Sequence, residues 1–173
     1  MIVSMLPHAI MRKYTELNER GFMKTTLKRL LPLMILTMSI TTATARDTPE
    51  MYPLNDVLNS PAAKGKLDPD IKLYFGNQAH SQVTEKIGNW TVSRRTNKIG
   101  KSNKEACDWV LIGVLYELQQ KARHYGANAV IDIKSELNSK ERSSDTEYMC
   151  SSGGVASRVT MKGRLVKLIK QSP

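Results

Sequence analysis

CDWVLIGVLYELQQKARHYG, residues 107–126, decides how this chain folds. Apolar residues recur at Cys107, Val110, Leu111, Val114, Leu115, Leu118, Ala122 and Tyr125. Steps of three and four gather them on one face of an α-helix. Glu117, Gln120, Lys121 and Arg123 fill much of the other side. Gly126 supplies the left-handed residue that stops a helix, and Arg123 and His124 place positive charge in its last turn, as the helix dipole favours.

Just upstream lies NKIGKSNKEA, residues 97–106, with Gly100-Lys101-Ser102, the tail of a nucleotide-binding P-loop. A P-loop needs G-x-x-x-x-G-K-[ST], whose glycines let backbone N–H groups wrap phosphates. The position of the first glycine is Arg95, and residues 95–99 contain no glycine, so ATP is not expected as a ligand. Ser102-Asn-Lys-Glu105 instead fits S-x-x-E, a capping box. The Ser102 oxygen accepts the Glu105 N–H, the Glu105 carboxylate reaches back to the Ser102 N–H, and losing such a cap costs about 1 kcal/mol.

Strands are expected on both sides of this helix. Residues 71–75 and 85–96 precede it, the second bent at Gly88. Residues 129–134 follow it, and a fourth strand begins at 147–150. Residues 155–162 and 164–169 form either one bent strand or a hairpin near Gly163, and the polar stretch 137–146 reads as a loop. The fold class is α+β: one long amphipathic helix packed on a mostly antiparallel sheet of four to five strands, in the order β-β-α-β-β(β). Alternation along 129–134 predicts that Val130, Asp132 and Lys134 share one solvent-facing side.

The front of the chain reads differently. Residues 1–22 are expected to be an over-called start or disordered. Residues 23–45 combine the basic MKTTLKR, an apolar run at 30–40 and Ala43-x-Ala45. That is a secretory signal peptide with cleavage after Ala45, which predicts a periplasmic protein. The apolar run is shorter than the roughly 20 residues a bilayer span needs. Residues 46–66, broken by Pro49, Pro53 and Pro61, predict an irregular N-terminal arm with one helical turn at 54–58. Residues 67–173 then form a single compact domain.

The whole chain carries a net charge of +10; residues 46–173 hold 20 Lys and Arg against 14 Asp and Glu, a net of +6. That excess favours anionic surfaces such as lipopolysaccharide, phospholipid or nucleic acid, against the plainer alternative of a solvated surface. Cys107 and Cys150 both lie beyond the signal peptide. In an exported chain an even count suggests a disulfide; the alternative is two buried free thiols. Two cysteines without nearby histidines leave a metal site incomplete.

Catalytic constellations are not legible. His80 and His124 stand far apart, and Ser151-Ser-Gly-Gly154 lacks the G-x-S-x-G of a nucleophile elbow. No catalytic, cofactor-binding or metal-ligating residues are assigned. The densest basic stretch holds Trp90, Arg94, Arg95, Lys98, Lys101 and Lys104. Interleaved aromatic and basic side chains suit single-stranded nucleic acid or lipid headgroups; the alternative is an edge strand that its charges keep from aggregating.

Four blocks carry a resemblance: LDPDIKLYFG (67–76), EACDW (105–109), GANAVIDIKS (126–135) and SSDTEYMC (143–150). Together they resemble a family of small exported proteobacterial proteins often labelled "excinuclease ATPase subunit", a label these motifs do not support. More distantly, a helix ending in Gly-Ala-Asn-Ala-Val is similar to the Rcs stress-sensor outer-membrane lipoprotein and to the heavy-metal-binding-like superfamily. That similarity implies a compact α/β domain and, by analogy with the superfamily, a homo-oligomer; it carries over no metal ligands. The expectation is a non-enzymatic envelope binding or structural module whose partner is an envelope protein or an anionic surface. The alternatives are a basic binder of anionic lipid or nucleic acid, and an unrecognised hydrolase.

Overall fold

The computed structural model describes residues 48–169. The expected start region and signal peptide therefore lie outside the described residues. The described residues form a mixed α+β fold with three helices and a sheet of seven strands, not the four to five expected. In chain order these are β1 (Thr48–Pro53), α1 (Leu54–Leu58), α2 (Pro61–Lys66), β2 (Lys72–Phe75), β3 (Val83–Asn97), α3 (Asn103–His124), β4 (Ala129–Leu137), β5 (Lys140–Arg142), β6 (Glu147–Ser152) and β7 (Ala156–Leu168).

Strand β7 is the hub of the sheet. The two runs flanking Gly163 form this one strand. β3 pairs with it antiparallel from Val83–Leu168 to Asn97–Ala156. β4 and β6 also pair with β7, β1 pairs with β6, and β5 pairs with β4. All of these ladders are antiparallel; among the described residues β2 alone joins in parallel, alongside β4.

Three further expectations need correction. In the arm the expected helical turn at 54–58 is present as α1, but its described part, 48–66, is not otherwise irregular, since it also holds a strand and a second short helix. Pro49 and Pro53 are compatible with β1 because it is an edge strand paired only with β6, so missing N–H donors can face outward. The stretch 137–146 is not all loop: β4 and β5 form a hairpin over Asn138 and Ser139, at φ 49° and 62°. Two successive left-handed residues are what a tight hairpin turn requires.

Strand β4 also departs from the expected alternation. Asp132 has φ 52°, and the ladder to β7 shifts register between Ile131 and Lys134. Ile131 faces Arg164 and Lys134 faces Lys162, so Asp132 and Ile133 together oppose Gly163. This is a β-bulge, which reverses the alternation beyond it. Val130 and Ile133 thus both enter the main core, whereas Asp132 and Lys134 meet open-face groups. Val130, Asp132 and Lys134 do not share a side. Gly163 is required here: a Cβ on it would stand 2.6 Å from Val130 Cγ1.

Helix α3 covers one face of the sheet. Its buried side chains include Cys107, Val110, Leu111, Val114, Leu115, Leu118 and Ala122, packed on Val159, Met161, Leu165 and neighbours. The division between faces is blunt, because Trp109 and Tyr116 are exposed on the same helix, and Tyr125, the last member of the apolar repeat, is exposed at its C-cap. Ser102 Oγ accepts the Glu105 N–H at 3.1 Å; no return bond from the Ser102 N–H to the Glu105 carboxylate is found among the described residues. At the other end Gly126 has φ 71°, the Ala127 N–H reaches Ala122 O at 2.8 Å and the Gly126 N–H reaches Arg123 O at 3.1 Å. These two crossed bonds form a Schellman motif. Cys107, in the first turns of α3, is joined by a disulfide to Cys150 of β6. A second, smaller core of Ala129, Ile131, Val166 and Leu168 lies on the sheet's opposite face.

Candidate functional site

The six patch residues do not all line one surface. Successive strand residues point to opposite faces, so β3 sends Trp90, Val92 and Arg94 one way and Arg95 the other. Trp90 is half-buried at the far end of α3, with its ring 4.8 Å from that of Tyr125. Arg94 crosses the helix at Gly113, where the absent side chain leaves room for its stem, and pairs with Glu117 at 2.7 Å. Lys98 donates to Asn103 Oδ1 at 2.7 Å.

Lys104 turns away to a separate network. It pairs with Asp108 at 2.8 Å and with Asp56 at 3.3 Å. Tyr148, fully buried, donates to the other Asp108 oxygen at 2.6 Å. Burial first, and then the Asp108 carboxylate, hold the Tyr148 hydroxyl well above the ordinary tyrosine range. The hydrogen bond to Asp108 raises Lys104. This network fixes α3 to α1 and β6, and it commits Lys104 to two carboxylates.

What remains is a groove of about 520 Å³ between the end of β3 and the start of α3, lined by Arg94, Arg95, Lys101, Glu105, Trp109 and Gly113 among others. Trp109, half-exposed, was not part of the basic stretch read from sequence. Its signal is a large aromatic beside Asp108, outside the helical apolar repeat. A smaller hollow of about 310 Å³ adjoins at Arg95 and Thr96 and is bordered by Ile99 and Val155.

A further residue completes the site from a distant part of the chain. Arg158 of β7 stands directly opposite Arg95 of β3. Neighbours across an antiparallel ladder share a face, with Cβ atoms about 5 Å apart, and like charges so placed repel. Neither arginine forms an ion pair among the described residues. The next pair on this face is neutral: Ser93 and Thr160 share a hydroxyl hydrogen bond at 2.7 Å.

The open face also carries a second polar cluster, and the contrast with it is informative. Asp132 forms an ion pair with Lys134 at 3.1 Å and lies 3.7 Å from Arg164, Arg164 reaches Asn89, and Lys162 pairs with Glu141. Every charge there has an opposite partner, so the cluster holds the bulged ladder together. The arginine pair has none, and an anion between the two guanidinium groups would supply it.

The remaining polar candidates form no catalytic set among the described residues. His80 bonds the Ser81 carbonyl, and His124 packs edge-on against Tyr125. Ser152 and Ser157 share a hydrogen bond at 2.9 Å beside Cys107 Sγ, with no base near them in the hydrogen-bond network. No group of three or more potential metal-ligating side chains occurs among the described residues. Comparison with protein-family models, with curated proteins and with solved structures finds no match to this chain.

Proposed function

We propose that this chain is an exported, periplasmic, non-enzymatic binding module of the cell envelope. It takes an anionic ligand at the end of the sheet where Arg95 and Arg158 meet. The observation that carries this reading is the cross-strand arginine pair without a carboxylate. Two cations held side by side by register weaken the sheet unless something negative sits between them. The groove extends the same site toward Lys101 and Trp109. The Cys107–Cys150 disulfide suits an oxidising compartment, in keeping with the exported family whose sequence blocks it resembles.

The test is retention of the oxidised protein on immobilised polyphosphate, a generic phosphate-bearing probe. Retention is expected to fall steeply as salt rises, and Arg95→Gln with Arg158→Gln is expected to weaken it by about tenfold or more, the value of a charge-assisted contact. Retention by the double variant equal to that of the unaltered protein would sink the proposal. So would a full count of two titratable thiols in denaturant, because the disulfide would then be absent from the exported protein.

A further inference from the structure

We infer that the ligand is an anionic bilayer surface, which the protein meets with two apolar loop tips, Ile99 and Val155, set beside the arginine pair. This rests on the anion-binding reading above and names its partner. Ile99 is 75% exposed and Val155 is 66% exposed. Neither is an isolated surface residue. Ile99 occupies a tight turn in which the Lys101 N–H reaches Lys98 O at 2.9 Å and Gly100 takes φ 76°. Val155 occupies a second turn, closed by Gly153 N–H to Ala156 O at 2.9 Å. The Lys98 N–H bonds Val155 O at 2.9 Å, so the two turns are tied together and both side chains border the same hollow.

Charge complementarity chooses the occupant. Around these tips stand Arg95, Lys98, Lys101 and Arg158, none in an ion pair among the described residues, with Glu105 the acid in the adjoining groove. Half-exposed Trp109 lines that groove. Aliphatic tips, a tryptophan and a ring of cations match the boundary between acyl chains and anionic headgroups. Single-stranded nucleic acid fits less well, because bases stack on aromatic faces and the two most exposed large hydrophobic side chains are aliphatic. The tight turns hold both tips in place before contact, so little ordering is needed on binding.

Vesicles of phosphatidylglycerol mixed with phosphatidylcholine, against phosphatidylcholine alone, test this with the oxidised protein. Sedimentation is expected to show affinity about tenfold higher for the anionic vesicles, as several basic side chains at a charged surface supply. Brominated acyl chains are expected to quench tryptophan emission, and Trp109→Phe to remove that quenching. Ile99→Ser with Val155→Ser alters only exposed side chains. It is expected to weaken vesicle binding about tenfold while leaving polyphosphate retention unchanged. Vesicle binding by this variant equal to that of the unaltered protein would overturn the inference. So would tighter binding to single-stranded DNA than to anionic vesicles. Retention on polyphosphate without vesicle binding overturns this inference and leaves the anion-binding reading standing; loss of both defeats both.

Discussion

The two faces of the sheet treat polar groups in opposite ways. Beneath α3, buried polar side chains are matched by partners on other elements. Gln119 donates to the Asp68 and Ile71 carbonyls and accepts the Asp68 N–H, each at 2.8 Å. Ser135 accepts the Met149 N–H at 2.8 Å, and Tyr148 donates to Asp108. On the open face, charges pair near the bulge, but at the Arg95–Arg158 end they face each other unpaired. Burial makes an unmatched polar group costly, whereas water tolerates one. The covered face is therefore built for stability, and the loop end of the open face is where interaction can be accommodated cheaply.

If that division holds, substitutions on the covered face should lower stability and those at the arginine pair should not. The largest expected effect is loss of the disulfide. It closes a loop with a sequence separation of 43. Cys107→Ser with Cys150→Ser is expected to cost about 2–4 kcal/mol in denaturant unfolding. An unchanged midpoint would show that the reduced chain packs equally well. Next is Gln119→Leu, which strands three backbone groups near the start of β2 and is expected to cost about 1–3 kcal/mol by the same measurement.

Tyr148→Phe sharpens the comparison through pH. A hydroxyl held neutral in the folded state stabilises fully below the ordinary tyrosine value of 10.0, and that contribution is lost as pH rises beyond it. Tyr52 behaves in the same sense: burial first, then Glu50, push it up to about 12. The protein is therefore expected to lose stability from about pH 10 upward, and Tyr148→Phe to flatten that decline in thermal melts run across the alkaline range. An identical slope in the variant would exclude Tyr148 as a source. The smallest effect belongs to Arg95→Gln with Arg158→Gln. Relief of like-charge repulsion is expected to leave stability unchanged or raise it by a few tenths of a kcal/mol. A loss above about 1 kcal/mol would mean that the pair serves the fold, contrary to the contrast between the two faces.

Much of the covered face was legible in the sequence, because the helix announces itself three times: by its apolar repeat, by Ser102 before it and by Gly126 after it. The bulge was not legible. Nothing in AVIDIKSEL marks Asp132 as the residue that takes a left-handed conformation, and without it simple alternation gives the wrong faces. The β4–β5 turn was hidden because Ser139 stands where glycine would have signalled it. Strand β1 was hidden by prolines that only an edge position tolerates.

The site was read in part. Nearness along the chain grouped Trp90, Arg94, Arg95, Lys98, Lys101 and Lys104, but strand alternation parts Arg94 from Arg95, and α3 carries Lys104 to Asp108 and Asp56. Arg158 came to Arg95 through ladder register alone, a relation that depends on which strands pair and so is invisible before the sheet is known.

The kink at Asp132 has a consequence for how this strand tolerates change in length. Take that one residue away and Val130, Ile133 and Ser135 would still point toward the helix, with Ile131 and Lys134 turned outward, in unbroken alternation. The inward-facing pattern is thus indifferent to whether the extra residue is there. Relatives one amino acid shorter at this point would keep the same interior and differ only in the local twist and in the acid that Arg164 and Lys134 now share.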